Sequence, residues 1–108
     1  GDEALKIYEA LAASDADAEF VAAAKVMAGY YLIDNGTPEQ VRDRVSGLEA
    51  AGNLWASSAQ ELLALAALKE GKTEEAATLL KALTTDATAP AGLKSRAEQL
   101  LNTLDKNS

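Results

Sequence analysis

The chain is 108 residues long, a single-domain length that can bury roughly two-thirds of the surface its unfolded form exposes. Its formal net charge of -7 argues against nucleic acid or anionic lipid as a partner, since both demand clustered Lys and Arg. With no cysteine and no histidine, disulfides, Cys-His dyads, Ser-His-Asp triads and the common zinc sites are excluded, and 24 alanines against 5% aromatic residues favour closely packed helices over sheet.

An apolar stripe at Ala4, Tyr8 and Leu11 predicts a first helix over residues 2 to 13. Asp15-Ala16-Asp17 superficially resembles part of a calcium loop, but the glycine and closing Glu of such a loop are missing, so the cluster reads as a turn and an N-cap. A second helix follows over 17 to 34. Asn35-Gly36, with helical patterns on both sides, reads as a helix C-terminus and not as a hairpin turn. Thr37-Pro38-Glu39-Gln40 contains the parts of a capping box and opens a helix expected over 38 to 51. Asn53 is expected to cap a fourth helix over 54 to 70. The apolar run from Leu62 to Leu68 goes almost all the way round this helix, which makes it either central and buried or the wall of an interaction groove. Trp55, the only tryptophan, is either a wedge between repeats or a binding hot spot. Thr73 is expected to cap a fifth helix over 74 to 85, with Glu74 and Glu75 in its first turn. Pro90 fits the first turn of a sixth over 90 to 104. There Leu93, Ala97, Leu100, Leu101 and Leu104 share one face while Lys94, Arg96, Glu98 and Asn102 lie largely elsewhere, the pattern of a capping helix. Gly36, Gly52 and Gly71 stand where helices must stop and are expected in left-handed conformations.

The stripe of the first helix recurs at Val41-Val45-Leu48 and Ala76-Leu80-Leu83, with first positions 37 and 35 residues apart. That is close to the ~34-residue period of tetratricopeptide helix-turn-helix repeats. Loops of two to five residues force neighbouring helices to pack antiparallel. The expected fold is therefore all-α, a tetratricopeptide-like right-handed α-solenoid of antiparallel helix pairs with a C-terminal capping helix. The pairs are 17–34 with 38–51 and 54–70 with 74–85. The first helix is then the second half of a repeat whose first half lies upstream, and residues 1–108 form a single domain fragment of about two and a half repeats plus the cap.

The run Gly52-Asn53-Leu54-Trp55, Ala59-Gln60-Glu61-Leu62-Leu63, followed by Gly71, Glu75-Ala76, Asp86, Pro90, Leu93 and Arg96-Ala97, resembles the YfgM-like tetratricopeptide family in its alphaproteobacterial form. The similarity covers most of the chain and is strongest from Gly52 onward. It implies an inner-membrane protein with one N-terminal transmembrane helix and a periplasmic repeat domain, ancillary to the Sec translocon and to periplasmic chaperones. The fragment would be the C-terminal part of that domain, without its anchor and first repeats. Ala28-Gly29-Leu32, Leu63-Ala64-Ala67 and Thr88 depart from the generic repeat pattern.

Repeat phasing puts Ala23, Val26, Tyr30, Ile33 and Asp34, with Ser58, Glu61, Leu65, Leu68 and Lys69, on the concave side. Of these, Tyr30, Ile33, Asp34, Glu61, Leu65, Leu68 and Lys69 are the candidates for a protein-binding groove that takes an amphipathic segment; alternatively they contact the terminal helices. The partner would be a protein: a translocon subunit, a chaperone or a secreted client. Contact with the membrane would come only through an N-terminal helix upstream of Gly1. No cofactor, metal or catalytic residue is implied, and the seven glycines are too scattered to cradle a phosphate. Two rival readings are a self-association module forming a homodimer through exposed helix faces, and a hydrolase or metal site built from Asp and Glu alone.

Overall fold

A computed structural model describes residues 1–50 and 54–106. Six α-helices follow one another: α1 (Asp2–Ala12), α2 (Ala18–Asn35), α3 (Pro38–Val45), α4 (Ala56–Lys69), α5 (Thr73–Thr84) and α6 (Ala91–Lys106). No strand occurs among the described residues. Each helix packs on its sequence neighbours, and α4 also packs on α2 and α6. The backbones of α1, α3 and α5 do not approach one another. The even helices thus form one layer and the odd helices a second, with extents of 43 × 28 × 20 Å.

Side-chain contacts give the directions. Tyr31 Oη, near the end of α2, donates to Asp2 Oδ1 at the start of α1 at 2.7 Å, so these two helices are antiparallel. Ser57 in the first turn of α4 adjoins Asp86 just past the end of α5, with the same meaning, and Gln60 Nε2 donates to the Leu79 carbonyl at 3.0 Å. Phe20 and Ala23 of α2 adjoin Leu54 and Trp55 at the head of α4, while Asp34 lies beside Leu65, so α2 and α4 run parallel.

The termini follow from local chemistry. The capping box forms as expected: Gln40 N donates to Thr37 Oγ1 at 3.1 Å and Thr37 N to Gln40 Oε1 at 2.9 Å. The α4 C-terminus is a full Schellman motif. Gly71 has φ +78°, Lys72 N donates to the Ala67 carbonyl at 2.9 Å, and Gly71 N to the Leu68 carbonyl at 3.1 Å. In the α5–α6 connection, Asp86 Oδ1 accepts from Thr88 N at 2.8 Å and from Thr88 Oγ1 at 2.6 Å, which holds the Asp86 carboxyl below its ordinary range.

Three expectations need correction. Helix α3 ends at Val45 and not at 51, because Ser46 Oγ bonds back to the Arg42 carbonyl at 2.7 Å and Gly47 takes φ +93°. Gly36 is not left-handed; its φ is -127°. Glycine fits there for space, since a Cβ would run into the Gln40 side chain that closes the capping box and would lie 2.7 Å from Leu32 Cδ2. Thr73 is the first residue inside α5 and not its cap: the chain turns so tightly through Gly71 that the Lys72 carbonyl already accepts from Ala76 N at 3.1 Å. Asp17 does occupy the expected N-cap position of α2, though its side chain makes no cap bond. The readings of Gly52 and Asn53 lie outside the described residues.

Two apolar clusters make the core. In the first, Val26, Leu32 and Ile33 of α2 pack with Val41 and Val45 of α3 and Leu62 of α4. In the second, Leu80 and Leu83 of α5 pack with Leu93 and Ala97 of α6 and Ala64 of α4. The second and third copies of the repeated stripe are thus core. The first is not: α1 buries no residue fully, and Leu11 is 40% exposed. The all-round apolar helix α4 is the central one, touched on four sides. Gly29 of α2 faces it closely: a Cβ there would lie 2.8 Å from Leu62 Cδ1 of α4 and 3.1 Å from Val45 Cγ1 of α3.

Candidate protein-binding groove

On the even-helix layer, α2, α4 and α6 enclose a groove of about 540 Å³. Five of the seven sequence-predicted residues line it: Tyr30, Ile33 and Asp34 from α2, and Glu61 and Leu65 from α4. The structure does not bring Leu68 and Lys69 to it. They sit further along α4, Leu68 half-buried and Lys69 exposed. Val26 turns into the first core. The missed residues all come from α6: Arg96, Gln99, Leu100 and Thr103. Their one sequence signal is the i, i+3, i+4, i+7 spacing of 96, 99, 100 and 103, which marks a second stripe beside the capping stripe.

The floor is a three-helix polar junction. Glu61 is 2% exposed and accepts from Tyr30 Oη at 2.5 Å on Oε1, from Arg96 Nε at 2.8 Å on Oε2 and from Arg96 Nη2 at 2.9 Å on Oε1. A bidentate guanidinium and a phenol thus satisfy both carboxylate oxygens. Burial, then the Glu61 hydrogen bond and its charge, push the Tyr30 hydroxyl up to about 12, and the same hydrogen bond raises Arg96 further above its already high range. Glu61 is therefore a structural anion held by its neighbours, and the surface left for a partner is the Tyr30 ring, Asp34, Leu65 and the α6 side chains.

Two further ion pairs link helices: Arg44 of α3 to Glu9 of α1 at 2.9 and 3.0 Å, within the odd layer, and Arg42 of α3 to Glu70 beyond α4. The Glu70 carboxyl is held below its usual range by Arg42. No group of three or more acidic side chains able to hold a metal ion occurs among the described residues. No helix among them is long and apolar enough to cross a membrane. No protein-family model, curated protein or solved structure matches the chain.

Proposed function

We propose that the chain is a tetratricopeptide-like right-handed solenoid segment that binds a protein segment along its even-helix layer and performs no chemistry of its own. The observation that carries this reading is the layering: α4 packs on both α2 and α6, the three line a shared groove, and the backbones of the odd helices approach only their sequence neighbours. That is the arrangement in which helix pairs stack in one dimension and present a continuous inner surface. The enclosed, fully bonded state of Glu61 supports a structural role for the best-placed carboxylate. With the YfgM-like resemblance, the proposed setting is the periplasmic side of a bacterial inner membrane, tethered through an upstream helix. The partner would be a translocon subunit, a chaperone or a secreted client. The test is photo-crosslinking from Leu65 and Gln99 in the full-length protein in membranes. Crosslinks to a translocon or chaperone component that vanish when the photo-probe is moved to the odd-helix face are expected; equal labelling from both faces would overturn the groove.

A second reading, self-association, has its own observation: Ile7 is 65% and Leu11 40% exposed on α1. An isologous dimer through that helix would appear as concentration-dependent sedimentation that Ile7→Glu abolishes. A monomer at every concentration would end it.

A further inference from the structure

The α2–α4 seam that carries the groove continues toward the heads of both helices, where Glu19, Phe20, Ala23, Leu54 and Trp55 line a second, smaller depression of about 190 Å³. Ala23 was expected on the concave side and Trp55 as a wedge or a hot spot; Glu19, Phe20 and Leu54 were not among the candidates. Phe20 is 62% and Leu54 75% exposed, which is unusual for large apolar side chains placed side by side on two different elements. Trp55 is half-buried, with its inner side against the first core. The depression is therefore an apolar socket with a fixed floor and two exposed walls.

Charge is arranged along the same seam. Among the described residues, Glu19 is the one charged side chain lining the socket, the groove has Asp34 at its rim, and the ion pairs engage neither. Among the described residues, the cation that lines the groove, Arg96, is paired with Glu61. Both hollows thus offer apolar surface beside an uncompensated carboxylate. From Phe20 to Asp34 the seam runs fourteen residues of α2, about 21 Å at 1.5 Å per residue.

We infer that this seam seats a cationic amphipathic segment of a partner protein, with a large apolar side chain in the Phe20–Leu54–Trp55 socket and lysine or arginine residues facing Glu19 and Asp34. The inference rests on the groove reading above and adds the direction, the anchor and the charge of the occupant. An apolar anchor in a socket supplies most of the affinity, and the rim charges select the partner and steer its approach.

Trp55, being the only tryptophan, supplies the assay. Two tryptophan-free helical peptides of about four turns, one with a leucine anchor and lysines on its polar face and the other with each lysine replaced by glutamate, are titrated while Trp55 emission is followed. The lysine peptide should shift the emission and saturate. The glutamate peptide should bind about tenfold more weakly at low salt, a gap that added salt narrows. The double variant Glu19→Lys/Asp34→Lys should reverse the preference. Phe20→Ala, which alters an exposed side chain, should weaken the lysine peptide by about tenfold. Equal binding of both peptides would overturn the charge assignment, and binding indifferent to Phe20→Ala would overturn the socket. Absence of binding by either peptide overturns this inference; if crosslinks from Leu65 persist in membranes, the groove reading stands without it.

Discussion

Replacing Arg96 with methionine removes the guanidinium that gives Glu61 two of its three hydrogen bonds, at 2.8 and 2.9 Å, and leaves a carboxylate that is 2% exposed with only the Tyr30 hydroxyl. Stripping one partner from a fully buried pair costs about 3 to 5 kcal/mol, because the surviving charge is stranded. The Arg96 side chain is 56% exposed, so water reaches part of the space it vacates and screens the orphan. That lowers the expected cost to about 2 kcal/mol. For a domain of this size the melting temperature should fall by about 8 to 16 °C. A thermal scan with a denaturant titration reads the loss. The double variant Glu61→Met/Arg96→Met distinguishes a stranded charge from simple lost packing. It removes the orphan as well, so it should be more stable than Arg96→Met alone, which is an interaction energy of opposite sign to additive damage. If Arg96→Met melts within the error of the parent, or the double variant is weaker than the single, the junction does not hold α6 on α4 as described.

Thr37→Ala breaks the capping box of the short α3 and should cost roughly 0.5 to 2 kcal/mol; an unchanged denaturant midpoint would place the α3 start elsewhere. Gly29→Ala should destabilise despite alanine's better helix propensity, because the new Cβ meets Leu62 and Val45: overpacking of about 1 to 3 kcal/mol outweighs a gain of about 1. A stabilised Gly29→Ala would mean α2 and α4 sit further apart. Ala76→Leu, at a fully buried position between α5 and its neighbours, should cost roughly 1 to 3 kcal/mol, and unaltered melting would show that the stripe phase is wrong. The raised Tyr30 hydroxyl, at about 12 in the folded chain against an ordinary 10, favours the neutral form in the native state. Its contribution is intact below pH 10 and lost as pH rises from about 10 to about 12, where the unfolded chain releases a proton that the folded one keeps. Tyr30→Phe should flatten the fall in stability over that window; identical alkaline profiles would refute the assignment.

The parts of the fold that were legible in the sequence are those whose causes are local. Val41 with Val45 and Ala76 with Leu80 and Leu83 follow from helical spacing, and the Thr37 box and Gly71 stop follow from contacts within a few residues. Ser46-Gly47 was a local signal too, but the stripe continuing to Leu48 masked it: Leu48 still reaches the first core as a half-buried residue after the helix has ended. The groove was readable only on its α2 and α4 walls. Arg96 sits 35 residues from Glu61, and its place on the polar side of the α6 pattern says nothing of a long side chain that curls back across the seam. Leu68 and Lys69 continue along the α4 sequence past Leu65 yet do not line the groove, and periodicity along one helix does not say where its neighbours leave a face open.

Because α4 lends side chains to both apolar clusters, neither half of the chain can come apart alone. Melting α2 and α3 strips one flank of α4, and melting α5 and α6 strips the other, so each half holds the scaffold on which its counterpart condenses. The amides of α4 should then be the last to exchange with deuterated solvent, at the rate of global unfolding. Those of α1, which buries no residue fully, should exchange through fraying that leaves the remainder intact.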